Sequence, residues 1–192
     1  GGLGRGASVS NWHRVGETPA NMLVELAKRG DSDGVRRESD AGKSIHVKDD
    51  EGRTPLIRAS MKGHVDTVEV VLGLLHASSN MQGNPRVRDS INAKDLYGNT
   101  ALLVASRGGR PADRLNYYQI VKMLLEQKDG DDCLVRINEK NKLGSTALMW
   151  ACEYGHRDLA ELLLDHGASI DEKDKYGNTA LLGSSMNYFT DV

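Results

Sequence analysis

Neither sign of charge is in excess in this chain. Its 192 residues hold 25 Lys and Arg against 27 Asp and Glu, a net charge of −2. A general nucleic-acid binder usually carries a basic excess, so nucleic acid is not an expected partner. Cysteine is scarce too. Cys133 and Cys152 are the two present. They are too few for a disulfide framework, and neither has a second CxxC or CxxH partner nearby, which removes a zinc set. The pair fits a reducing compartment and is expected to be two buried structural thiols. No apolar run reaches the ~18 residues of a membrane span, so no membrane partner is expected. Gly1 to Ser10 show neither an apolar h-region nor an initiator Met. Residues 1–19 are therefore expected to be a flexible N-terminal tail or an expression remnant, not a signal peptide.

What is present is the balance of a soluble globular chain, 39% hydrophobic and 27% charged, with length enough for one or two domains. The sequence also repeats itself. Four segments share G-x-T-x-L: Gly52 to Leu56, Gly98 to Leu102, Gly144 to Leu148 and Gly177 to Leu181. An Asp or Asn opens each one, at Asp49, Asp95, Asn141 and Asp174. Thr146 and Thr179 stand 33 residues apart, while Thr54, Thr100 and Thr146 are spaced by 46. The longer units thus hold 13 extra residues each. Composition places the extra residues in loops, which tolerate length cheaply. Ala77 to Ser90 reads as one loop. Arg110 to Asn116, between two helices, and Gln127 to Val135, after the second, read as the others.

Each unit makes physical sense. The Thr caps a first helix, such as Thr146 to Tyr154. A Gly suited to a left-handed residue ends it, at Gly63, Gly109 or Gly155. A second helix follows with apolar residues at helical spacing. His156 to Leu164 is the clearest case, and Val65 to Leu75 and Tyr118 to Leu125 match it. Gly167 to Asp171 then turns the chain into an extended hairpin.

The unit from Thr146 to Lys173 resembles a full ankyrin repeat, T-A-L-x-x-A-C-x-x-G-H-x-D-L-A-x-L-L-L-x-x-G-A-x-I-D, at the period of about 33 that marks the family. Leu23 to Lys48 resembles a degenerate N-terminal repeat, with Val35 to Asp40 as a short second helix. Thr179 to Val192 matches half of one. The resemblance covers about residues 20–192. It implies an all-α ankyrin-repeat solenoid of helix-turn-helix units with β-hairpin tips, about four to five repeats with incomplete ends. Their expected bounds are 20–49, 50–94, 95–140, 141–173 and 174–192. Because the last unit is half a repeat, the chain is expected to be part of a longer protein. One departure stands out. The family His after T-P-L, which helps tie neighbouring hairpins, is Ile57, Leu103, Met149 and Leu182 here, and this predicts looser coupling between hairpins.

Motifs of catalysis are incomplete. His156-Arg157-Asp158-Leu159 spells the start of a kinase catalytic loop, but the later Asn, a V-A-I-K-type Lys and a D-F-G are missing. Gly42-Lys43-Ser44 ends like a P-loop, yet Arg37 stands where its first Gly belongs. No two His are four apart on a helix, as a metal pair would need. The repeat itself accounts for His64 and His156. No catalytic site, cofactor or metal is expected.

The resemblance instead implies a concave binding face for a partner protein, made of hairpin tips and first helices. By repeat position its residues are Asp50, Glu51, Arg53, Met61 and Lys62, followed by Leu96, Tyr97, Asn99 and Arg107. The third set is Lys142, Leu143, Ser145, Glu153 and Tyr154, and the last is Lys175, Tyr176, Asn178 and Met186. Three of the six Tyr residues fall at these exposed positions, and Tyr is enriched where interfaces concentrate their energy. The face is expected to run from an acidic end at Asp50 and Glu51 to basic tips at Lys142 and Lys175. Asn80 to Val87 and Arg110 to Tyr118 are the second candidate surface. The expected function is a scaffold, adaptor or inhibitor, monomeric on its own and cytoplasmic, with the nucleus or a host cytosol as other locations. The alternative is a targeting segment of a longer enzyme or bacterial effector whose catalytic domain lies beyond Val192.

Overall fold

The computed structural model describes residues 21–78, 85–109 and 111–186. The expected tail at 1–19 and the end of the last repeat lie outside them. The N-terminal unit is α1 (Met22–Arg29) and α2 (Ser32–Asp40). The next comprises α3 (Pro55–Lys62), α4 (Val65–Ser78) and α5 (Pro85–Ile91). The third holds α6 (Ala101–Ser106), a 3₁₀ turn at Pro111–Asp113 and α7 (Arg114–Leu125). A small hairpin, β1 (Lys128–Asp129) with β2 (Asp132–Cys133), follows it. The fourth unit is α8 (Ala147–Glu153) and α9 (Arg157–Asp165), and α10 (Ala180–Met186) begins the last.

First helices stack in the order α1, α3, α6, α8, α10, and second helices in the order α2, α4, α7, α9. Each layer therefore packs chiefly on its neighbours, which is the solenoid architecture. Local chemistry starts α3, α6 and α8 the same way. Thr54, Thr100 and Thr146 are extended, and each hydroxyl accepts the amide three residues on, at 3.3 Å from Ile57, Leu103 and Met149. A cap of this kind is worth about 1 kcal/mol. Leu56, Leu102 and Leu148 then enter the core with 1–2% of their surface exposed. Ala27, Ala59, Ala105 and Ala151 are fully buried at one register, where side chains this small let the first helices approach closely.

A second set of ties runs between repeats. Nε2 of His64 lies 3.1 Å from the Lys28 carbonyl, and Nε2 of His156 lies 2.9 Å from that of Arg107. Each opens a second helix and meets the end of the preceding first helix. In the unit between them the insertion displaces that position, and the Tyr117 hydroxyl takes its place, donating to the Met61 carbonyl at 3.2 Å. Burial and then the charge of Asp113 raise the Tyr117 pKa, so the hydroxyl stays a donor.

Several expectations need correcting. Ala77 to Ser90 is not one loop: α4 runs on to Ser78, and Pro85 starts α5, which buries Val87 and Ile91 against the core. Residues 79–84 of that stretch lie outside the described ones. The Gly that turns left-handed after α6 is Gly108, with φ 67°, and not Gly109. The second helix of that unit starts at Arg114, four residues before the expected Tyr118. α2 likewise starts at Ser32, because the Asp31 side chain accepts the Gly34 amide at 2.8 Å. Cys133 is exposed and Cys152 half-buried, and both are free thiols. A two-residue hairpin turn leaves Cys133 on an edge strand, whereas Cys152 follows Ala151 into the α8 interface.

Candidate functional site

The tips begin with one carboxylate or amide that organises its own turn. Oδ1 of Asp95 accepts the amides of Tyr97 and Asn99, both at 2.8 Å. Asp49, Asn141 and Asp174 do the same two and four residues ahead, at 2.8–3.0 Å. Adjacent tips are then laced by backbone. The amides of Leu96, Lys142 and Lys175 donate to the carbonyls of Glu51, Tyr97 and Leu143, each at 2.9 Å. Lysines add a parallel lacing at the hairpin bases: Nζ of Lys48 donates to the Lys94 carbonyl, Lys94 to Lys140, and Lys140 to Lys173, at 2.9–3.1 Å. Asn92, almost fully buried, bridges Arg88 and Leu134 carbonyls and the Arg136 amide. These contacts tie the hairpins where the family His is missing.

This scaffold pushes the residues just before each tip Gly into solvent. Leu96, Tyr97, Leu143 and Tyr176 are 53–77% exposed, and Tyr154, at the end of α8, is 40% exposed. Asp50, Lys62, Arg107, Lys142, Glu153 and Lys175 are exposed as well. The remaining expected residues are half-buried and spoken for. Asn99 and Asn178 each donate to the second oxygen of their own Asp. Asn99 also accepts from Asn141. The Ser145 amide belongs to the Asn141 turn, and the Met61 side chain packs on the core. The Met186 side chain lies outside the described residues.

Two concavities form along this face. The larger, about 480 Å³, gathers Arg107, Leu143, Ser145, Glu153, Tyr154, Tyr176 and Asn178 from the expected set. The smaller, about 280 Å³, takes Asp50 and Glu51 at the other end, beside Asp49 and Arg58. Lys62, Leu96 and Tyr97 line neither of these two.

The expected acidic end is largely neutralised. Arg58 binds the carboxylates of Asp49 and Glu51 at 2.5 Å each. Arg53 pairs with Glu51, reaches Asp95 at 3.4 Å, and lies over the Tyr97 ring 6.0 Å from its centroid. Of the three tip carboxylates, Asp50 alone carries no ion pair among the described residues. At the other end Lys142 and Lys175 are exposed and have no ion pair among those residues. Asp174 resists protonation. Its partial burial would raise its pKa, but hydrogen bonds from Asn178, Tyr176 and Gly177 outweigh that and lower it.

Five lining residues were not on the expected list: Met149, Trp150, Asp174, Thr179 and Gly183. Trp150 and Gly183 each stand four residues after a capping Thr, as do Arg58 and Val104. The registers around it vary far less: Leu stands two after the Thr in all four units, and Ala five after it in three of them. This one changes from Arg to Val to Trp to Gly, and that variation between repeats was the available signal. Trp150 both packs on the core and lines the concavity.

A stacked array of helix pairs with laced, solvent-directed tips defines a repeat protein built to present one long face. The chain belongs to the ankyrin-repeat family: the family described as Ankyrin repeats (3 copies) matches residues 23–136 and 111–190. Such repeats are generally protein-interaction modules on a non-catalytic fold. The chain is 29% identical to the ankyrin repeat protein YahD of Escherichia coli K12, over 85% of this chain and 87% of that protein. It is 27% identical to Neurogenic locus notch homolog protein 1 of Mus musculus, over 92% of this chain. With Ankyrin repeat domain-containing protein 63 of Homo sapiens it shares 33% identity over half of its length. The chain spans 6% of the length of the notch homologue and 23% of protein 63.

Proposed function

We propose that this chain is a protein-interaction module, a scaffold, adaptor or inhibitor, that holds a partner protein against its concave face. One observation carries the reading. Leu96, Tyr97, Leu143, Tyr154 and Tyr176 are large apolar or aromatic side chains left in solvent along the same row of tips and first-helix ends. The turns need only their Asp or Asn, Gly and Thr, so the fold gives no reason for aromatic residues there. Exposed aromatics grouped on one face are the usual marks of a contact surface. The cytoplasm is the location that suits its free thiols.

The test is affinity capture from cell lysate, with identification by mass spectrometry. It compares the chain with a Tyr97→Ala, Tyr154→Ala, Tyr176→Ala variant of unchanged helix content. A partner captured by the first and lost by the second is the expected result. Equal capture by both would move the site to the insertions or the convex side. The second reading, a targeting segment within a longer enzyme or effector, draws on the notch and protein 63 alignments, in which a like stretch is a small part of a long chain.

A further inference from the structure

The larger concavity has a chemistry of its own. Its wall between α8 and α10 is Trp150, Met149 and Leu143, with Tyr154 and Tyr176 at the margins. Its floor is open because Gly183 has no side chain. A Cβ placed there would meet nothing closer than Glu153 at 3.8 Å, which is ordinary contact. A large apolar side chain is therefore what the space accepts.

Beside it sits a prepared cation. Nε of Arg107 donates to the Tyr154 hydroxyl at 3.0 Å, and its guanidinium lies over the Tyr154 ring, 5.2 Å from the centroid. The Tyr154 ring in turn stacks on His156. The guanidinium is thus held twice by Tyr154, through its hydroxyl and its ring, yet it meets no carboxylate among the described residues. Its terminal nitrogens remain to grip one, and guanidinium and carboxylate match as a two-pronged pair. Lys142 and Lys175, next in sequence to lining residues Leu143 and Tyr176, are exposed and carry no ion pair among the described residues. Two acidic residues also line the space. The carboxylate of Asp174 is taken up by its own turn, and Arg107, Lys142 and Lys175 outnumber the two acidic residues.

We infer that this pocket receives an extended segment of the partner protein in which a large apolar side chain, best an aromatic one, is flanked by carboxylates. The apolar group enters against Trp150 over Gly183, and a neighbouring carboxylate binds Arg107. This rests on the concave-face reading above and narrows it to one end of that face.

The experiment uses the whole chain with Trp12→Phe, which leaves Trp150 as its single Trp and its emission as a reporter of pocket filling. The probe is a short synthetic peptide with one Phe flanked by Glu. It is compared with a peptide in which Gln replaces Glu, and with one in which Ala replaces Phe. The expected result is saturable change in Trp150 emission with the first peptide and affinity about tenfold weaker with either comparator, the size of one charge-assisted or one apolar anchor contact. Gly183→Leu fills the pocket with a better helix former. It should abolish the response while thermal stability is kept or raised. Arg107→Gln should erase the difference between the Glu and Gln peptides. Equal binding of all three peptides, or full binding by Gly183→Leu, overturns the inference. A chain that ignores the peptides, yet captures a partner that the triple Tyr variant loses, overturns this inference alone and leaves the concave-face reading standing.

Discussion

Cys133 and Cys152 differ in what surrounds their sulfur. Burial in α8 pushes the Cys152 thiol above its ordinary range and keeps it protonated, while Cys133 lies exposed on β2. Thiolate is the reactive form. An aromatic disulfide reagent at pH 8 should therefore titrate one thiol quickly and the second only slowly, and Cys133→Ser should remove the fast phase. Ser60 and Ser106 hold the register that Cys152 holds. Their hydroxyls are buried with no hydrogen-bond partner among the described residues. An unmet buried hydroxyl is costly, and Ala is the better helix former. Ser106→Ala should leave stability unchanged or raise it by up to about 1 kcal/mol in urea unfolding. At Asp174 the sign runs the other way. Its folded-state pKa is lowered, so its contribution is complete above the ordinary carboxylate pKa and is lost as pH falls through the lowered one. Asn serves the same turn at position 141. Asp174→Asn should therefore keep the turn and flatten the acid limb of a stability-against-pH curve.

At the scale of elements, the ties between repeats are the sensitive points. Tip Gly98 has φ 80°, and a Cβ on it would stand 2.8 Å from the Lys142 amide nitrogen that laces the next tip. Gly98→Ala combines left-handed strain with that clash and should cost about 1–3 kcal/mol. The unstrained change Gly73→Ala in α4, where a Cβ meets nothing within 4 Å, is the matched control. Tyr117→Phe removes the hydroxyl that meets the Met61 carbonyl and should cost about 1 kcal/mol, read from the same urea curves. The insertions show where sequence reading stops at this scale. α5 had a signal, Pro85 at its first position and Val87 and Ile91 four residues apart. Seven residues make no stable helix alone, so the Ser, Asn and Gly before them outweighed it. Docking on α4 is what keeps that helix folded. Gly108 and Gly109 looked interchangeable. The end of α6 gave Gly108 the left-handed turn, and Gly109 is the one on which Tyr117 crowds, since a Cβ there would lie 2.4 Å from its hydroxyl.

Across the whole molecule, each layer is held by its neighbours, and stability is close to a sum of local terms. The layers are not equal. Leu181 is 72% exposed, whereas its counterparts Leu56, Leu102 and Leu148 are almost fully buried. Amide exchange should therefore be fastest in α10 and slowest in α3 and α6, which are covered on both sides, with protection falling in steps from unit to unit. Uniform exchange across all helices would show instead a single cooperative block.

Short-range chemistry was open to direct reading. A Thr that caps, an Asp that folds its own turn, a Gly that ends a helix and apolar residues at helical spacing all act within a few positions. The sequence alone therefore determined the repeat, its fold family and the exposed tip residues Tyr97, Leu143 and Tyr176. The tertiary structure decided what depends on residues 36 to 56 positions apart meeting across adjacent layers. It placed Arg107 against Tyr154, put Tyr117 where a His stands in other units and opened a pocket over Gly183. Those contacts are set by how closely one layer stacks on the next, a distance that no single repeat encodes in its own pattern.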